Sequence, residues 1–210
     1  MRQLILVVGL LTMAASVCAG SATVELQGFQ PSGWQVGYPY SITVNSGSFT
    51  AVMCDDYAHG GEPGDRWQAN FTNLGTADLS QLRFNQLPGA STLYDEAGWL
   101  LLQTLVTPQY DVNGHNQWTD INWAAWAIFD SSVLPLLTPK QEDWLDAAQT
   151  EASNGFPGVN FHQVGIYTPA DQYDSNLNNP QELMTIVPEP STVALLGVGI
   201  IGILRSKRFC

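Results

Sequence analysis

Two short apolar stretches, one at each end, decide how much of this chain is free to fold on its own. Residues 4–11 are apolar, follow a single cation at Arg2, and give way to small residues over 14–20. A charged start, a short apolar run and small residues make the layout of a secretory signal peptide. Val17 and Ala19 fit the −3 and −1 sites of a cut after Ala19, and a cut after Ala22 is also available. A lipoprotein cut before Cys18 fits less well, because Val17 stands where Gly or Ala is wanted. Near the other end, Pro188-Glu189-Pro190 leads into an uncharged apolar run over 192–204 that stops at Arg205, Lys207 and Arg208. A basic cluster closing an apolar run reads as a membrane segment with its basic end in the cytoplasm. About fourteen helical residues reach only ~21 Å against a hydrocarbon core of ~30 Å, which suits a processed anchor better than a permanent span. The expected division is a signal peptide over 1–22, an extracellular domain over 23–186, and a sorting and anchoring segment over 187–210.

The order Pro188-Glu189-Pro190, apolar helix, basic tail resembles the PEP-CTERM sorting signal. That resemblance implies delivery by an exosortase after signal peptidase has removed the N-terminal signal. It also implies an inner-membrane-anchored precursor that passes to the cell surface or extracellular matrix of a Gram-negative-type bacterium, with exopolysaccharide or biofilm as the setting.

Charge narrows the partners. The formal net charge is −12. Arg2, Arg205, Lys207 and Arg208 all lie in the end segments, so Arg66, Arg83 and Lys140 are the only cations of the central domain. Such a surface repels phosphate backbones and excludes nucleic acid as a partner. Cys18 and Cys210 also lie in the end segments, which leaves Cys54 alone in the domain and excludes a disulfide within it. A lone exported cysteine is a buried inert thiol, one half of an intermolecular bridge, or a group consumed by chemistry.

Within the domain, alternation predicts strands over 24–29, 40–44, 47–54 and 67–73, with Asn45-Ser46-Gly47-Ser48 as a hairpin turn. The period then lengthens. Ser91 is expected to cap a helix over 92–106, with Tyr94, Ala97, Leu101 and Leu105 near one face. Thr119 or Asp120 is expected to cap a second, buried helix over 121–130, and Thr138-Pro139 to open a third that ends at Asn154-Gly155. Strands return over 163–167 and 183–187. The expected fold is α+β: an antiparallel sandwich or barrel-like unit with a three-helix insertion, plus a C-terminal hydrophobic helix.

Two stretches carry candidate chemistry: Phe49-Thr50-Ala51-Val52-Met53-Cys54-Asp55-Asp56-Tyr57, and Trp118 to Asp130 with Asn122-Trp123-Ala124-Ala125-Trp126 at its centre. In this order they resemble the thioester domains of bacterial surface proteins. In that family a strand-end cysteine is acylated by the glutamine of a helical Gln-x-Ala-Ile-Trp motif. The resemblance assigns Cys54 as the cysteine and Asn122 to the glutamine's place, with Ala125 in place of Ile.

Other readings of the same residues are blander. Cys54 also reads as a small buried side chain, and Trp118, Trp123 and Trp126 as core. His59, His115 and His162 sit in loops without a protease-like setting. Cys54, Asp55, Asp56 and His59 lack the spacing of a zinc site, and Asp111 to Asn116 lacks the downstream bidentate glutamate of a calcium loop. No metal or cofactor is expected. The reading is a non-catalytic envelope or matrix protein whose membrane contact precedes processing. A covalent adhesin using Cys54, and a secreted hydrolase or carbohydrate-binding module, are the alternatives.

Overall fold

Alternation of apolar and polar residues is realised as six strands: β1 (Ser21–Phe29), β2 (Tyr40–Val44), β3 (Phe49–Cys54), β4 (Arg66–Asn73), β5 (Val164–Pro169) and β6 (Leu183–Ile186). The computed structural model describes residues 21–29, 39–76, 78–170 and 180–188. Of the expected signal peptide over 1–22, residues 1–20 lie outside them, whereas Ser21 and Ala22 open β1 and pair with Asn70 and Ala69 of β4. The apolar run over 192–204 and its basic cluster also lie outside. Among the described residues no helix is long and apolar enough to cross a membrane.

All pairings are antiparallel, and the order β1-β2-β3-β6-β5-β4 closes on itself as a barrel. Closure removes the free edges that an open sheet exposes. Val24, Leu26, Tyr40, Ile42, Val52, Trp67, Ala69 and Phe71 are buried while the residues between them are more open, as the period of two requires. The turn between β2 and β3 has Asn45 and Ser46 both left-handed, and the Gly47 N–H bonds the Val44 carbonyl at 2.9 Å. That is the twist-matched two-residue hairpin turn, and the Thr23 N–H locks it by donating to Asn45 Oδ1 at 2.9 Å.

Between β4 and β5 the chain inserts α1 (Ala90–Gln103), α2 (Gln117–Phe129) and α3 (Pro139–Ser153), which pack on one another. α1 lies on β5 and β6, and α2 meets β3. Both faces of β5 and β6 are consequently buried, and their sequences read as apolar runs rather than alternations. The expected α+β barrel with a three-helix insertion is the fold observed.

Helix ends differ from expectation for local reasons. α1 starts at Ala90 behind a left-handed Gly89, with no side-chain cap, and stops at Gln103. Leu105 therefore lies past the helix and is exposed, while Leu100 joins Tyr94, Ala97 and Leu101 on the buried face. α2 starts four residues early because Asn116 Oδ1 accepts the N–H groups of Trp118 and Thr119 at 3.1 and 3.3 Å. α3 opens as expected, with Pro139 in its first turn and Gln141 Oε1 accepting the Thr138 N–H at 2.8 Å.

Gly165 marks the tightest point of the barrel wall. A Cβ there would stand 2.5 Å from the Phe71 ring and 2.8 Å from Val187. Gly165→Ala should cost about 1–3 kcal/mol by overpacking, read as a lower denaturation midpoint with an unchanged m-value. An unaltered midpoint would mean the Phe71 ring yields freely.

Candidate functional site

Cys54 ends β3, paired with Leu183 of β6, and is fully buried. The last residues of β3 are inaccessible because α2 lies against that end of the barrel. Ala124, Ala125 and Ala127 of α2 are all buried, and Asn122 and Trp126 share the face turned to Cys54. On this helix Asn122 Nδ2 donates to the Cys54 carbonyl at 2.9 Å. Asn122 is itself buried, and its Oδ1 has no hydrogen-bond partner. The structure thus brings together the two residues singled out by sequence, a thiol-bearing strand end and a carboxamide on the facing helix.

The thiol is held by the residue two places on. Its S–H donates to the Asp56 carbonyl at 3.3 Å, and the Asp56 N–H approaches Sγ at 3.4 Å. Burial pushes the Cys54 thiol well above its ordinary range, and the neighbouring carboxyls of Asp55 and Asp56 push it further. The indole N–H of Trp126 works the other way: it approaches Sγ without full hydrogen-bond geometry and has no other acceptor. Trp126 also belongs to an aromatic cluster. Its ring lies 5.1 Å from Trp123 and 5.3 Å from Tyr57, and the partly exposed Tyr57 ring borders solvent.

Next to the thiol lies a buried polar lock that the sequence did not announce. Arg83 donates through Nη1 to Asp56 Oδ2 and through Nη2 to the Pro180 carbonyl at 2.8 Å. His59 Nδ1 sits 2.7 Å from the other Asp56 oxygen. Glu182 receives the Tyr94 hydroxyl at 2.5 Å, the Thr168 hydroxyl, and the Arg83 N–H at 3.0 Å. Asp55 is fully buried and no donor reaches its oxygens, yet it faces Glu182 closely enough to interact with it directly. Two carboxyls in that position share a proton. Burial, followed by the Glu182 charge, raises Asp55 well above the usual carboxylate range, so Asp55 carries the proton and Glu182 gathers the donors.

The remaining candidates separate. His115 Nε2 lies 2.5 Å from Asp120, which also receives Gln141 at 3.3 Å and so ties α2 to α3. Asp111 Oδ1 caps its own turn by accepting the N–H groups of Asn113 and His115 at 2.8 and 3.0 Å, and Oδ2 pairs with Lys140 at 3.0 Å. These donors hold its carboxyl down at about 2. The loop over 111–116 is a self-satisfied turn. His59 pairs with Asp56 and the Cys54 thiol with the Asp56 backbone, and among the described residues no group of such side chains is arranged to hold a metal ion. Trp118 donates its indole N–H to the Thr107 carbonyl at 2.8 Å and pins the loop before α2.

Residues 187–208 match the PEP-CTERM protein-sorting motif. That motif implies export, processing by an exosortase and a cell-surface protein. Among solved structures, the chain is similar to the N-terminal thioester domain of fibronectin-binding protein SfbI from Streptococcus pyogenes, at 10% identity and a TM-score of 0.47, covering 81% of this chain and 95% of that one. It is also similar to the N-terminal domain of the Streptococcus pyogenes pilus tip adhesin Cpa, at 11% identity and 0.48, covering 81% and 95%. A third is the N-terminal thioester domain of a surface protein from Clostridium perfringens, at 13% identity and 0.43, covering 79% and 98%. No curated protein matches the sequence.

The shared proton predicts a pH dependence with a definite sign. Asp55 binds its proton more tightly folded than unfolded, so between the ordinary carboxylate range and its raised value the native state holds more protons and stability falls as pH rises. The groups facing it are Glu182, Asp56, Cys54 and Tyr94, with Arg83 on Asp56 as the nearby cation. The thermal midpoint should drop by a few degrees between pH 5 and 8, since about 1 kcal/mol moves it roughly 2–4 °C in a domain of this size. Asp55→Asn retains a donor for Glu182 and should flatten the slope. A midpoint that rises over that range would place a stable charge on Asp55.

Proposed function

We propose that this chain is a sorted, non-catalytic surface protein that captures its target covalently, through an internal thioester between Cys54 and Asn122. The supporting observation is the Asn122 amide donating to the Cys54 carbonyl at 2.9 Å inside a sealed site. Asparagine is one methylene shorter than the glutamine of the resembled motif, and its amide nonetheless reaches the Cys54 backbone at the strand end.

Thioester formation needs no external reagent. The Cys54 sulfur adds to Asn122 Cγ, the thiol proton is transferred to the departing nitrogen, the Cγ–N bond breaks and ammonia leaves. A target amine or hydroxyl then attacks the acyl carbon, the carbon–sulfur bond breaks, and the nucleophile's proton restores the thiol. The aromatic cover of Tyr57, Trp123 and Trp126 keeps water from hydrolysing the bond before a target arrives.

A second reading, non-covalent residence in an exopolysaccharide or biofilm matrix, is favoured by the burial and acidic neighbours that keep Cys54 a neutral thiol. Intact mass of the protein recovered from the bacterial surface separates the two. The covalent reading requires a mass about 17 Da below that of the processed chain, a methylamine adduct that relieves it, and loss of both in Cys54→Ser. A full-mass protein with a free thiol would leave the matrix reading. The same spectrum locates both processing sites, and with them the roles of signal peptidase and exosortase.

A further inference from the structure

Two buried polar atoms in the site lack partners, and they are complementary: an acceptor, Asn122 Oδ1, and a donor, Trp126 Nε1. Asn122 and Trp126 are one turn apart on α2, so they stand one above the other on the same face. Asn122 is tied to the Cys54 backbone, and the Trp126 N–H approaches the Cys54 sulfur. Unsatisfied buried groups are costly and uncommon, so a matched pair of them beside a thiol calls for a state in which both are used.

That state is supplied by acyl transfer. When Sγ bonds to Asn122 Cγ, the amide oxygen comes to lie two bonds from the sulfur, and a donor already against the sulfur is within reach of it. We infer that the Trp126 indole N–H is the oxyanion donor of this site, stabilising the negative charge on Asn122 Oδ1 as sulfur adds and again as a nucleophile displaces it. The inference rests on the thioester reading. It assigns Trp126, which as sequence reads as core, a polar task that no other described donor at the site performs. The Asn122 amide nitrogen is engaged with the Cys54 carbonyl, the Asp56 N–H with Sγ, and Arg83 with Asp56 and Pro180. In a site without bulk water a single fixed donor has a large effect, because it need not reorganise as charge appears.

Trp126→Phe keeps an aromatic ring and removes the N–H. Measured on the full chain exported from its native host, the rate of methylamine incorporation should fall about tenfold to hundredfold, together with the fraction of chains showing the mass deficit. Trp144→Phe, an indole on α3 outside the aromatic cover, should keep the wild-type rate. Benzothienylalanine at position 126, which matches the indole in shape but replaces N–H by sulfur, should behave like Trp126→Phe while retaining the wild-type melting temperature. This separates loss of the donor from loss of packing. A wild-type deficit with an unchanged rate in both position-126 variants overturns the oxyanion role and leaves the thioester standing. An equal slowing in Trp144→Phe also overturns it, in favour of packing. A wild-type protein without any deficit overturns both.

Discussion

Glu182 is the residue on which the barrel and the helices agree. It sits directly before β6 and accepts from Tyr94 on α1, Thr168 on β5 and the backbone of Arg83, while Asp55, directly after β3, faces it. A lone buried carboxylate would cost several kcal/mol, and this one is tolerable because donors from three separate segments converge on it. The same convergence fixes where β3 ends and where its cysteine stands. Arg83 extends the lock to Asp56, whose backbone holds the thiol. Geometry at the sulfur is therefore inherited from electrostatics one residue away.

Much of this was readable in the chain, and the part that was not has a common cause. Alternation gave β1 to β4, Asn45-Ser46 gave the hairpin, and Thr138-Pro139 gave the start of α3, because each is a local preference written in neighbouring residues. The start of α2 was misplaced because Asn116, Thr119 and Asp120 are all competent caps, and only the fold decides that Asp120 is needed inside to meet His115 and Gln141. Cys54 and Asn122 stood out through resemblance to a motif, and they are neighbours in space. Arg83, Tyr94, Thr168 and Glu182 did not stand out. They are separated by up to 99 positions from their partners, and no local pattern marks a long-range hydrogen bond. One clue was available: in a domain with three cations, an arginine far from the surface pairs is worth following.

The α2 helix departs from the resembled motif at two positions, with Asn122 in the place of the glutamine and Ala125 in that of the isoleucine. Asn122 is nonetheless buried and donates to the Cys54 carbonyl at 2.9 Å, so a side chain one methylene shorter still spans from the helix to the strand end. Motif matching by side-chain identity counts such a departure as a loss, whereas the contact it makes is with backbone.

The sixth strand is inserted between β3 and β5, and the matched sorting motif begins at residue 187, directly after it. The last piece of the barrel is thus also the last piece before the address. Until that strand has crossed the membrane, β3 and β5 are both open edges with pairing groups unfilled. Severing the chain beyond the strand releases a finished barrel. Severing it a few residues earlier unzips the wall on two sides at once and removes Glu182 from the lock.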